Sequence, residues 1–161
     1  MPTDPCDIAF FRLLTGSYAR LTGKSLVPAE LDAEAGAKWL YEEAPFGLLA
    51  HDTNGEPIFI YGNKRSQNLL GYDWDELTSL PSRLSAETPE RGARQALLEQ
   101  VSRDGYITGY RGVRIAKSGT KFWIEDATVW QLIDKNDLCH GQAAMIPDMT
   151  YPATGSTPSS A

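Results

Sequence analysis

The amino-acid sequence predicts an α+β fold: a five-stranded antiparallel sheet with short central helices and two helices ahead of it. Three observations carry that expectation. Residues 111–130 (RGVRIAKSGTKFWIEDATVW) alternate apolar and polar side chains on either side of Ser118-Gly119, the pattern of two long strands meeting at a tight turn. A second turn signal, Asn54-Gly55, separates the short apolar runs 46–51 and 58–61. Helical periodicity is confined to 7–44 and 63–104, so helices do not alternate with every strand as a parallel α/β sheet requires.

Each element follows in order. Residues 7–21 (DIAFFRLLTGSYARL) place Ile8, Phe11, Leu14, Tyr18 and Leu21 on one helical stripe, with Asp7 suited to cap the first turn. Residues 30–44 form a second helix with Leu31, Ala35 and Trp39 at helical spacing, and Pro45, which has no N–H to donate, stops it. These helices either cover one face of the sheet or form a dimer or partner surface. Strand 46–51, turn 52–57 and strand 58–61 come next. A short helix, 63–70, is led by Asn63 and closed by Gly71 in the left-handed conformation. Asp73 caps another short helix, Glu76 completes a capping box, and Pro81 ends it. Residues 82–87 are a polar connection. Thr88 caps a longer helix running to about Asp104, with Pro89 in its first turn and Ala93, Leu97, Leu98 and Val101 buried. Strands at 106–116, 121–133 and 138–146 complete the sheet, the last two joined by the polar turn 134–137. From Tyr151 onward the chain has nothing to bury and is expected to be disordered. The chain thus divides into a helical extension, 1–45, a sheet-bearing domain, 46–149, and a tail, 150–161.

The long hairpin sets an expected register. A two-residue turn pairs Lys117 with Thr120, which puts Ile115 opposite Phe122, Val113 opposite Ile124 and Arg111 opposite Asp126. One face is then apolar and ends in an opposite-charge pair. Carried across the next turn with no bulge, the same register turns Cys139, Gly141, Ala143 and Met145 inward and Gln142 outward. Trp123 and Arg114 share the outer face, where they could stack.

Composition narrows the function. The net charge of −6 and the lack of any basic run argue against direct contact with nucleic acid. No apolar run approaches the ~20 residues of a membrane span, and the start MPTDPCDIAFF lacks the pattern of a signal peptide. The protein is expected to be soluble and cytoplasmic. No metal is expected, because His51, His140, Cys6 and Cys139 share no ligand spacing. The carboxylates of Asp73, Asp75 and Glu76 sit at a helix start, where acids favour the dipole, and two unclustered histidines make no catalytic triad. The chain is therefore expected not to be an enzyme.

The segment IFIYGNKRSQNLLGYDWDEL resembles the start of a PAS domain, with its strand, Asn-led helix, Leu-x-Gly-Tyr and acidic short helix. RIAKSGTKFWIE resembles the next strand pair, and GQAAMI the last strand. A closer similarity is to the MEKHLA domain, a PAS-like family found alone in bacteria and at the C-terminus of plant homeodomain–leucine-zipper transcription factors. WLYEEAPFGLLAHD, DGYITGYRGVRIAKSGTKFWIEDATVW and above all LPSRLSAE at 80–87 carry it, and the likeness spans about 37–149. The resemblance implies a sensing or interaction module. Haem-binding PAS members use a His on the long helix, and 88–104 has none. Photosensing flavin members use a Cys on a central helix, absent from 63–104, and an inward Gln on the last strand, where Gln142 is expected outward. No cofactor is expected.

Five residues are the candidate ligand-binding set: Arg83, Ser85, Arg111, Asp126 and Asn63. Arg111 and Asp126 either pair, meet a polar ligand at the sheet end, or are simply solvated there. Arg83 and Ser85 lie where PAS-like folds open their cavity, or on a plain surface loop. Asn63 either binds a ligand or caps its own helix. Two functions fit: a non-enzymatic sensory domain holding a small organic ligand between helices and sheet, or a protein-interaction module with no ligand. The second would act as a homodimer through the N-terminal helices or dock a signalling partner.

Overall fold

The computed structural model describes residues 2, 4–53, 55–85 and 88–150, of which 88–91, 93, 94, 98, 148 and 150 are described by their backbone alone. Asn54 of the first turn signal, the caps expected at Thr88 and Pro89, the side chains of Ala93 and Leu98 and the tail from Tyr151 lie outside that description.

Helix α1 (Ile8–Thr22) begins at Asp7, whose carboxylate accepts the Phe10 N–H at 2.9 Å. Helix α2 (Ala33–Glu42) begins three residues later than expected, because Asp32 takes the cap by accepting the Ala35 N–H at 2.8 Å. Its buried face is also rotated from the expected Leu31, Ala35 and Trp39 stripe. Gly36, Ala37, Leu40 and Tyr41 are buried and Ala35 is exposed. The Phe11 ring sets this face: a Cβ on Gly36 would lie 2.7 Å from its Cζ, so α1 and α2 meet where no side chain intervenes.

The sheet contains β1 (Gly47–His51), β2 (Phe59–Gly62), β3 (Tyr106–Ile115), β4 (Lys121–Ile133) and β5 (Cys139–Ile146), with a short β6 (Asp148–Thr150). The order is β2-β1-β5-β4-β3, and β6 runs beside β4 beyond the end of β5. Every pairing is antiparallel. Between β2 and β3 lie α3 (Lys64–Leu70), α4 (Trp74–Leu77), a 3-10 turn (Ser82–Ser85) and α5 (Thr88–Asp104). The capping box of Asp73 and Glu76 forms as expected, and Gly71 ends α3 in the left-handed region.

Both faces of the sheet are covered. On the outer face, Phe10, Leu14 and Tyr18 of α1 and Leu40 of α2 pack on Leu48, Ala50, Trp130, Leu132 and Ala143. The Ser17 hydroxyl accepts the Ile133 N–H at 2.8 Å, and Arg20 donates to the Asp134 carbonyl at 3.1 Å and pairs with Asp137. The α1 helix is thereby fastened to the β4–β5 turn. A bond from His140 Nε2 holds the Asp134 carboxyl there below its usual range. On the inner face, Leu70 and Leu77 meet Leu49, Phe59, Phe122 and Ile124, while Leu97 and Val101 of α5 meet Val129.

Register departs from expectation at the β3–β4 turn and at a bulge in β4, with further irregularities between Ile107 and Tyr110 of β3 and between Gln131 and Ile133 of β4. The β3–β4 turn has three residues, not two: the Ala116 N–H bonds the Thr120 carbonyl, and Gly119 takes φ +89°. A type I turn closed by a left-handed Gly is the usual three-residue solution. Arg114 therefore stands opposite Phe122, Val113 opposite Trp123 and Gly112 opposite Ile124. Further along β4, Asp126 adopts φ +53° in a bulge, one extra residue in the strand. Before the bulge the even residues Phe122 and Ile124 face inward; after it Ala127 and Val129 do, and Trp130 and Leu132 face α1. The reversal propagates to β5. Gln142, opposite Gln131, lies with Ala144 and Ile146 on the inner face, while Ala143 and Met145 join the outer cluster and Cys139 is exposed.

The bulge makes a backbone prediction. An L residue held left-handed costs about 1–2 kcal/mol when it cannot bond locally, so in urea denaturation Asp126→Gly should be at least as stable as the parent and Asp126→Val should lose about that much. Equal losses from both would show that the carboxylate, not the backbone, governs the position.

Candidate functional site

The five candidate residues do not converge. Asn63 is 1% exposed and fully engaged by the protein. Its Oδ1 accepts from the Leu48 N–H at 3.0 Å and the Ser66 N–H at 3.1 Å, and its Nδ2 donates to the carbonyls of Leu40 at 3.1 Å and Phe46 at 3.0 Å. An amide has two acceptor positions and two donor hydrogens, so none is left for a ligand. Ser85 is buried, and its hydroxyl donates to the Ser82 carbonyl at 2.8 Å. Arg83, on the same 3-10 turn, is exposed, and its Nε donates to Glu56 at 2.7 Å.

Arg111 and Asp126 are not a pair. The Arg111 Nε donates to Glu125 at 2.8 Å, and its guanidinium lies 3.7 Å from the centre of the Trp123 ring. Asp126 sits exposed in the bulge. Both face solvent, so neither stands at the mouth of an interior cavity. The one-residue register change is the cause, and it also exchanges the arginines. Arg114, expected outside beside Trp123, is on the inner face, and Arg111 makes the stack instead.

A different set of residues encloses space. Between α5 and the sheet is a hollow of about 40 Å³, walled by Leu49, Phe59, Ile124, Val129 and Ile146, with Arg114, His51 and Gln142 as its polar groups. One water needs roughly 10–15 Å³ of such space, so this part takes a few waters or a small apolar group, well below the size of a haem or a flavin. A second space adjoins it. His51 and Gln142 are also walls of a wider recess of about 390 Å³, bounded by the 52–57 loop, Arg83, Gln95, Ser102 and Cys139. The Glu56–Arg83 ion pair belongs to this recess.

Local structure explains why the two spaces share those walls. His51 and Gln142 are register partners on β1 and β5. Beside them β5 presents Gly141, where a Cβ would lie 2.1 Å from the His51 carbonyl, so no other residue allows this approach. The His51 Nδ1–H donates to the Asp52 carbonyl at 2.8 Å, and Asp52 Oδ1 accepts the Ile58 N–H at 3.1 Å, which folds the loop over the strand ends. Sequence reasoning missed Arg114 and Gln142 because their side depends on strand parity, which the three-residue turn sets for Arg114 and the bulge at Asp126 sets for Gln142. Gln142 facing inward removes one reason for setting flavin aside; the lack of any Cys in 63–104 remains. Among the described residues no group of His, Cys, Asp and Glu could hold a metal, and no helix is long and apolar enough to cross a membrane.

Comparison with known proteins agrees with this fold. The MEKHLA domain model matches residues 8–151. Homeobox-leucine zipper protein ATHB-9 of Arabidopsis thaliana is 26% identical over 147 residues, covering 87% of this chain and only 17% of its own length. Among solved structures, the PAS domain of a Colwellia psychrerythraea protein superposes with a TM-score of 0.59 at 21% identity, covering 68% of this chain and 89% of that one. The LOV domain of the Erythrobacter litoralis EL346 blue-light activated histidine kinase gives 0.54 at 20% identity, covering 64% and 94%. At such identities these structures share the PAS fold with this chain.

Asn63 supplies the prediction from this site. Asn63→Ala orphans buried backbone groups that cost about 1–3 kcal/mol each and removes the α3 cap, so the loss in urea denaturation should be about 3–5 kcal/mol. Asn63→Asp should do no better at neutral pH, since it keeps the acceptors but turns negative charge on the carbonyls of Leu40 and Phe46. A loss under 1 kcal/mol from either would contradict the assigned role.

Proposed function

The chain belongs to the MEKHLA domain family, and from that premise we propose that its PAS-like domain is a non-enzymatic cytoplasmic sensor that binds a small organic ligand between helices and sheet. The observation that supports this reading is that the 40 Å³ hollow and the 390 Å³ recess adjoin, with His51 and Gln142 lining both. An apolar inner end and a polar outer end suit a molecule that buries a small apolar group and keeps its polar head at the rim. Of the original candidates only Arg83 belongs to this reading; Arg114, Gln142 and His51 replace the rest. Residues 46–149 are then the sensing unit, and the helices within 1–45 its cover. The non-enzymatic reading is supported by the placing of the histidines: His140 is bonded to Asp134 on the β4–β5 turn, and the His51 Nδ1 to backbone.

A second reading, an interaction module without a ligand, is favoured by the small size of the inner hollow and by the outward placing of Arg111 and Asp126. Thermal shift over a metabolite library, on protein purified without additives, separates the two. A ligand at a hundred times its Kd stabilises by about 2.7 kcal/mol and raises Tm by several degrees. Ala144→Leu, which fills the hollow from β5, should abolish that shift while leaving the unliganded Tm within a few degrees. Absence of any shift, or a shift that Ala144→Leu leaves intact, counts against the cavity.

A further inference from the structure

We infer a second binding surface, independent of the cavity: the groove between the end of α2 and α3 takes an amphipathic helix of a partner protein, whose apolar stripe is flanked by a basic row on one side and an acidic row on the other. The groove encloses about 880 Å³. Glu42 and Glu43 line it from the end of α2, Lys64 and Arg65 from the start of α3, and Leu69, Ile146, Pro147 and Met149 contribute its apolar lining. Met149 is 40% exposed, one of the few large hydrophobic side chains among the described residues left so open to water.

The four charges are what identify the occupant. Among the described residues' ion pairs, none includes Glu42, Glu43, Lys64 or Arg65. Opposite charges thus line one groove with no ion pair between them; the Lys64 ammonium lies 5.5 Å from the centre of the Tyr41 ring, an aromatic contact that leaves its charge in place for an incoming group. A helix laid in the groove would set its apolar residues at i, i+3 and i+7 on the lining and its charged flanks against the walls. Other occupants fit less well. Residues 151–161 (YPATGSTPSSA) carry no charged side chain to answer either wall. A second copy related by a two-fold axis at the groove would set groove against groove and leave the space unfilled.

The test uses a displayed library of helical peptides of about 14 residues, selected on the full chain. Selection should enrich an apolar stripe with basic and acidic flanks in fixed order. Binding of the enriched peptides, read by fluorescence anisotropy, should weaken at least tenfold in E42K/E43K, in K64E/R65E and in Met149→Glu, with Tm unchanged within about two degrees. In the fourfold reversal, peptides with exchanged flanks should bind and the originals should not. No enrichment, or binding indifferent to the reversals, overturns the proposal. So does a concentration-dependent dimer in light scattering that E42K/E43K abolishes, which assigns the groove to a second copy. Peptide binding that appears only after removal of 151–161 also overturns it, in favour of that segment.

Discussion

One buried amide holds the architecture together. Asn63 stands where the chain passes from strand to helix, and its four hydrogen bonds reach the end of α2, both sides of the entry into β1 and the first turn of α3. β1 is the strand that pairs with both β2 and β5, so fixing its entry fixes the middle of the sheet. The same contacts set the distance between α2 and α3, and hence the two charged walls of the groove. No other side chain offers two donors and two acceptors in so small a planar group, and at so buried a position each unmet partner would be costly. The neighbouring Gln67 amide extends the pattern, donating to the Tyr41 hydroxyl and the Gly62 carbonyl.

Local chemistry was legible in the sequence. Asp7, Asn63, Asp73, Glu76 and Gly71 act at helix ends as their types require, and the strands 106–116, 121–133 and 138–146 are nearly those observed. These features depend on neighbours a few residues away. What the sequence concealed was parity. A turn longer by one residue at Lys117 and a bulge at Asp126 each reverse which side chains face inward, and neither leaves a mark in hydrophobic alternation. Asp126, which the expected register places on the inward face, is turned to solvent by the bulge. Hence Arg111 and Asp126, the most attractive pair in the sequence, are bystanders, while Gln142 and Arg114 turn inside. The α2 face failed for a related reason: Phe11, from another helix, decides which side of α2 is buried.

The bulge also shapes what the domain can transmit. After Asp126, β4 presents Val129 to the inner hollow and Trp130 and Leu132 to α1. The Tyr18 ring meets Trp130 edge-on at 4.8 Å. Interior and N-terminal helix are therefore separated by the thickness of one strand. Anything that moves β4 from within acts on packed aromatic rings without, and close packing passes on small displacements instead of absorbing them.

The fastening of α1 has a consequence for how the protein is made. Ser17 and Ile133 are 116 residues apart. At translation rates of ~5–20 residues per second, roughly 6 to 23 s elapse between synthesis of the helix and arrival of its strand. Throughout that interval α1 can meet α2 and the β1–β2 hairpin, but Tyr18 lacks the Trp130 ring it packs on. Until β4 is made, the part of α1 that faces it stays uncovered, and chaperone capture during synthesis is where the cost of this topology falls.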